Sequence, residues 1–393
     1  MTAKPVTNKM KVLLAEPCWE NFGGYFRAIS MAKSLARKGI EVDLVIPQVK
    51  GIAESEECII EPNLRLIKAT NLNYNLRDRL RRYGFMKKLI KKNNYDIVHT
   101  FTIVQPEMVL LLAYCALTRR KRVLDWDDYW QDSPMYKNSG WLTKIYITIA
   151  ERWVSRLSRH MTVTSDFLSQ KTREIGIKNI VKIINGVDPS QFKVWKRSDA
   201  MKQLKLDSQL SYLLTFGNSF FHERSYLILK TFGEVLKQNP NVRLISNLDF
   251  RELFNDYPKL KKLDKKIYDN VVVVGFIPPE RLGLYIAVSE CIIFLSGDED
   301  FEKACFPIRV GSYINGEKAI ASNYNDTEWS RTVRRYGCAI IGKNPHELSQ
   351  KIVAYLQDNK AQQRLEDQVK KAKIELSWAS LADKLIEFYK TVK

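Results

Sequence analysis

The chain has 393 residues, 45% hydrophobic and 11% aromatic, and carries a net charge of +19. Such a composition is globular, and the length suits two domains better than one core. Six cysteines with no C-x-x-C pair and four histidines exclude a zinc module, and the longest apolar run, "MVLLLAYCAL", is too short to cross a bilayer.

The opening "MTAKPVTNKM" is polar and has no signal-peptide h-region. With cysteines that read as buried free thiols, it points to the cytoplasm. "KVLLAE" (Lys11–Glu16) is a first strand and Gly24–Lys38 a helical pattern. Between them "ENFGGYFRA" opens the helix with Gly23-Gly24, which lets backbone approach a ligand while the helix N-terminus receives a negative group. A full G-x-G-x-x-G is missing, which argues against a dinucleotide. "EVDLVIP" is a second strand. "NLRDRLRRYGFMKKLIKKNN" then reads as a helix with Leu80, Phe85, Met86, Leu89 and Ile90 on one side and eight Lys/Arg between Arg77 and Lys92. It is either a solvated face or a surface for anionic lipid or a phosphate-bearing substrate. Residues 1–200 hold 34 basic and 20 acidic side chains, +14 of the total +19. Nucleic acid is not expected, because no recognition motif accompanies the charge.

"DIVHTF" puts His99 near the carboxyl end of a strand, as a satisfied core histidine or a functional one. "RVLDW" runs into "DWDDYWQD", where Asp125, Asp127 and Asp128 stand among Trp126 and Trp130. Such carboxylates serve acid/base chemistry or bind hydroxyls, unless they merely cap a helix. "HMTVTS" and "VKIIN" complete a series of apolar strands alternating with helices, the pattern of a parallel sheet covered on both faces. Residues 185–211 weaken into polar sequence and read as a linker.

The alternation then restarts with "YLLTFG", a helix over Arg224–Gln238, then "VRLIS", "NVVVVGF", "CIIFLS", "KAIAS" and "CAIIG", followed by three helical stretches. In open α/β sheets ligands bind beyond the carboxyl ends of the strands, and two such domains in tandem place the site in the cleft between them. Three loops there carry chemistry. "GNSFFHERS" brings Arg224 to the start of a helix. "GFIPPERL" sets prolines before another. "GDEDFEKACFPIRVGSYING" runs through Pro307, read as the first residue of a short helix, with Arg309 in its first turn. Two arginines and a helix N-terminus make a diphosphate site.

The ordered pieces "GGYFRAISMAKSLARKGIEVDLV", "YDIVHTF", "KIINGVDPSQF", "VVVVGFIPPERLGLYIAVSE", "FPIRVGSYINGEKAIAS" and the closing "SWASLADKLIEFYK" resemble a retaining glycosyltransferase of the GT-B fold, family 4 type. The resemblance spans about Lys11 to Tyr389. It implies two doubly wound Rossmann-like domains facing across a cleft: residues 1–195 on the acceptor side, 196–375 binding the nucleotide sugar, and a helix, 376–393, returning to the first domain. It implies a donor linked to UDP, GDP or ADP, a glycan or lipid-linked acceptor, no cofactor and no metal. Gly23 and Gly24 would approach the donor phosphates. His99 would sit near the transferred sugar, with Asp127 and Asp128 as further catalytic or acceptor-binding groups. Arg224 would replace the family's phosphate-binding lysine, beside Asn218 where the family has an arginine. Phe276, Ile277, Phe306, Pro307, Ile308 and Arg309 would line the donor site.

One departure bears on activity. The family's pair of glutamates eight positions apart is replaced by Ala304 and Ser312; Glu302 and Asp300 stand nearby, and Ser312 keeps a hydroxyl for the ribose without a charge. Two expectations follow: a transferase of the EC 2.4 class in polysaccharide biosynthesis, peripheral at the inner membrane face, or a catalytically impaired GT-B-like subunit that binds a glycan or protein.

Overall fold

The computed structural model describes residues 9–73, 75–217 and 222–393. The chain forms two compact units. The first holds residues up to Gly186 together with Glu299–Ile308 and Trp378–Lys393; the second holds Val187–Asp298 and Arg309–Ser377. The change of unit thus falls at Gly186, not at 195/196. The expected linker also starts as part of the second unit. The Val187 N–H donates to Leu376 O at 2.8 Å, and Phe192 packs so close to Gly283 that a Cβ there would meet its ring at 2.7 Å.

The sheet of the first unit has eight strands. They are β1 (Lys11–Ala15), β2 (Glu41–Pro47), β3 (Glu56–Glu61), β4 (Leu64–Ala69), β5 (Ile97–Phe101), β6 (Arg122–Trp126), β7 (His160–Val163) and β8 (Asn179–Lys182). Their order is β3-β4-β2-β1-β5-β6-β7-β8, parallel throughout except for the β3–β4 hairpin. That hairpin was not anticipated. "EECIIE" is exposed and charged, so it reads as surface; what makes it a strand is the turn at Asn63, whose φ of 65° reverses the chain. β8 begins two residues before "VKIIN", with Asn179 opposite His160. The inner strands are buried on both faces, and Leu13, Val98 and Leu111 pack with Met86, Leu89 and Ile90 of the helix Leu76–Lys92. The closing helix, Trp378–Thr391, belongs to this unit and lays its indole near Arg27, 5.8 Å from the guanidinium.

The second unit is a six-stranded parallel sheet of β9 (Ser211–Thr215), β10 (Val242–Ser246), β11 (Val271–Val273), β12 (Ser289–Ile293), β13 (Ala319–Asn323) and β14 (Ala339–Gly342), in the order β11-β10-β9-β12-β13-β14. Leu213, Phe232, Leu244 and Ile293 are central to its core. The helix Ile308–Asn315 starts one residue after Pro307, within the usual spread of helix ends. The segment read as a loop before it contains a helical turn, Asp300–Ala304.

Candidate functional site

The first unit gathers its charge under the carboxyl ends of β1, β5 and β6. Arg27, on the buried face of the helix Tyr25–Arg37, is 1% exposed, and its guanidinium grips the Asp125 carboxylate with two hydrogen bonds of 2.7 and 2.8 Å. It also donates to Asn185 Oδ1 and Ile183 O. Asp125 accepts a further bond from Thr162, whose hydroxyl lies 3.2 Å from His99 Nε2, and His99 Nδ1 lies 2.7 Å from the Tyr389 hydroxyl. Burial works to raise the Asp125 carboxyl, but Arg27 outweighs it and holds the group below its ordinary value.

This network corrects the expectation for His99. The side chain is wholly buried within β5, both ring nitrogens are engaged, and burial pushes its pKa down to about 4. As placed, it is a neutral tie between β5, β7 and the closing helix. It offers no atom to a ligand. Asp125 likewise holds Arg27 instead of facing outward.

Asp127 and Asp128 follow β6. The Asp128 carboxylate lies 2.7 Å from Cys305 Sγ, and Asp132 accepts from the Phe301 N–H at 3.3 Å. Thr164 donates to Asp127 O and to Ala304 O, and Asn185 donates to Phe306 O. These bonds tie the segment Glu299–Ile308 into the first unit. They give Asp128 a structural partner and leave Asp127 the freer carboxylate. Burial, with Asp128 and Asp125 adding repulsion, raises the Asp127 carboxyl well above its usual value.

Glu16 was not singled out from the sequence, although it is the residue immediately after β1. Its carboxylate accepts from the Cys18 N–H at 2.9 Å and sits against Gly24, where a Cβ would come within 2.8 Å of Oε1. Burial pushes its pKa up to about 7. Gly24 is thus required by Glu16 packing as well as by any ligand, and Gly23 (φ 49°) turns the chain into the helix.

In the second unit, Gly217 ends the strand region of β9 with φ 57°. Arg309 lies directly on it: a Cβ at Gly217 would meet Nη1 at 2.2 Å. The guanidinium donates to Phe216 O at 3.0 Å, as does the Tyr313 hydroxyl at 3.3 Å, and the Gly217 N–H donates to Asn247 Oδ1 at 2.9 Å. A small cleft beside them is lined by Thr215, Gly217, Ser225, Ser246, Asn247 and Phe250. Arg224 is buried in the first turn of the helix His222–Gln238. Asn218 lies outside the described residues. Phe276 is 87% exposed in the loop after β11, with Ile277 half-buried.

The Ser312 hydroxyl donates to Gln191 Oε1 at 2.9 Å and the side chain is 3% exposed, so its expected ribose contact competes with a bond already made. Glu302 is buried in the first unit, with Phe306, while Pro307 and Ile308 are half-buried.

Two parallel-sheet bodies with this topology define the GT-B fold, and solved structures agree. Sucrose-phosphate synthase from Thermosynechococcus elongatus superposes with a TM-score of 0.71 at 16% identity, over 97% of this chain and 98% of that one. HepE from Anabaena, in complex with UDP, gives 0.67 at 13% over 98% and 100%. The catalytic domain of starch synthase IV from Arabidopsis thaliana, bound to ADP and acarbose, gives 0.67 at 13% over 97% and 99%. Residues 26–191 match the model for Glycosyltransferase Family 4. A search of curated proteins found no match.

Proposed function

We propose that this chain is a transferase that moves a sugar from a nucleotide-linked donor to a glycan or lipid-linked acceptor with retention of configuration, in the cytoplasm and without a metal. The observation that carries the reading is the Gly217–Arg309 cradle in a GT-B chain. A cation, a left-handed glycine and a helix start meet beyond the carboxyl end of β9, the place where an open sheet receives a diphosphate. HepE is solved with UDP and starch synthase IV with ADP, which supports a nucleotide there. Arg309 and Arg224 stabilise charge building on the leaving diphosphate. The leaving phosphate takes the acceptor's proton, so no side chain need act as base. His99 contributes by holding Thr162 and Tyr389 in place. Asp127 and Glu16 remain the carboxyls suited to acceptor hydroxyls in the first unit.

A second reading, a GT-B subunit that binds a glycan or partner without turnover, is favoured by one observation: Ala304 and the engaged Ser312 stand where the family pattern has carboxylates. Transfer and hydrolysis assays with UDP-, GDP- and ADP-sugars decide between them. Turnover with the donor's anomeric configuration kept in the product is expected. Nucleotide binding without turnover supports the second reading, and an inverted product overturns retention.

A further inference from the structure

The helix Trp141–Arg152 is apolar on two sides. Ile147 and Ala150 anchor it in the core with Trp126 and Met161. The opposite side faces water: Trp141 is 69% exposed, Leu142 65%, Ile145 49%, Ile149 48% and, just past the helix, Trp153 56%. At 3.6 residues per turn these positions fall within about 120° of arc, one continuous face. Helices apolar all round are normally covered. The two indoles alone leave roughly 200–300 Å² in water, already a sizeable share of the apolar patch an isolated protein shows.

The charge around this face has one sign. Between Ser139 and His160 the sequence holds Lys144, Arg152, Arg156 and Arg159 against a single acid, Glu151. Glu151 is buried and turned inward, where it accepts from the Trp130 and Gln131 N–H groups and from the Trp126 indole. The Arg156 guanidinium lies 4.4 Å from the Trp153 ring centroid, so cation and aromatic share the rim. A cleft that shares Arg152 and Arg156 with the patch, and adds Gln131, Lys171 and Glu174, has room for a phosphate headgroup. Among the described residues no helix is long and apolar enough to cross a membrane.

We propose that this face, helix Trp141–Arg152 with the turn through Leu157, seats the chain on an anionic lipid bilayer, lying in the headgroup plane. Charge complementarity selects the occupant. Outward-facing cations with no exposed acid between Ser139 and His160 suit anionic lipid, and indoles at both ends, about 18 Å apart along the helix, match the preference of tryptophan for the bilayer interface. The surface expected from sequence, Arg77–Lys92, is a poorer one. Its Met86, Leu89 and Ile90 are in the core, and its Arg79 and Arg82 reach Glu107. The proposal stands apart from the transferase reading.

The test is co-flotation of the full chain with vesicles of phosphatidylcholine, alone or with one third phosphatidylglycerol. Binding several-fold stronger to the anionic vesicles is expected. Trp141→Ser/Ile145→Ser/Trp153→Ser, all at exposed sites, should lower partitioning at least tenfold. Arg152→Gln/Arg156→Gln should lower it about fivefold on anionic vesicles and leave neutral ones unchanged. Lys88→Gln/Lys91→Gln/Lys92→Gln should change it less than twofold. Lipids brominated on the acyl chain should quench indole fluorescence of the unaltered protein, a readout independent of any variant's folding. The proposal is overturned by wild-type protein that stays with neither vesicle, by absent quenching, or by a triple serine variant that binds like wild type. A lipid-free dimer that the triple serine variant dissolves, with vesicles left unbound, assigns the face to a second copy and overturns it equally.

Discussion

The two units treat charge in opposite ways. In the first, Arg27, Asp125, Thr162, His99 and Tyr389 form a closed, buried chain in which each polar group answers another. In the second, Arg309 is exposed at the end of β9, held by a backbone carbonyl and pressed against a glycine with no side chain to crowd it. A buried ion pair costs desolvation that its own attraction offsets only when geometry is good, so it serves to specify structure. An exposed cation costs little and is still available for a ligand. Functional charge in this protein is therefore expected where the network is open.

The largest test breaks the closed network. Arg27→Met leaves Asp125 charged and unpaired and should cost 3–5 kcal/mol, read from urea unfolding, with Arg27→Met/Asp125→Asn recovering part of it. A single variant within about 1 kcal/mol of wild type would show the pair is not a structural tie.

The next sharpens where the first unit is frustrated. Glu16 has a folded pKa of about 7 against an ordinary 4.5, so the folded state holds the proton longer. Stability that Glu16 lends is complete below about pH 4.5 and is lost as pH rises through 7. The shift corresponds to about 3 kcal/mol. Wild type should therefore lose thermal stability from pH 5 to 8 more steeply than Glu16→Gln. Glu151, also pushed up to about 7, acts in the same sense in both proteins and leaves the difference intact. Parallel slopes would remove Glu16 from the account.

In the open region, Gly217→Ala places a methyl group where Arg309 lies and demands a left-handed backbone, at about 1–2 kcal/mol. Calorimetry should show UDP or ADP binding weakened about tenfold, matched by Arg309→Ala, since a charge-assisted bond contributes roughly 1.5–3 kcal/mol. Unchanged affinity in both variants would empty the cradle of its role. The smallest effect belongs to Ser312→Ala, which removes the bond to Gln191 at about 1 kcal/mol and should leave nucleotide affinity within twofold. A tenfold loss would restore the hydroxyl to the ribose.

Much of this was legible in the residues. Alternating apolar strands and helices determine two doubly wound bodies, because a parallel strand buried on both faces must be apolar along its length. The rule that ligands meet the carboxyl ends of strands led to Arg224, Arg309 and the Asp127 region. The sequence alone could not tell which charges at those ends are spent. His99 and Asp125 differ from Arg309 only in what lies opposite them: Tyr389 comes from 290 residues away and Arg27 from the first helix, partners no local pattern announces. Burial and pairing are properties of the packed chain. The same holds for the eight cations of Arg77–Lys92, whose apolar side turned into the core, and for the helix Trp141–Arg152, whose apolar side did not. Periodicity marks an apolar face; only tertiary packing decides whether protein covers it.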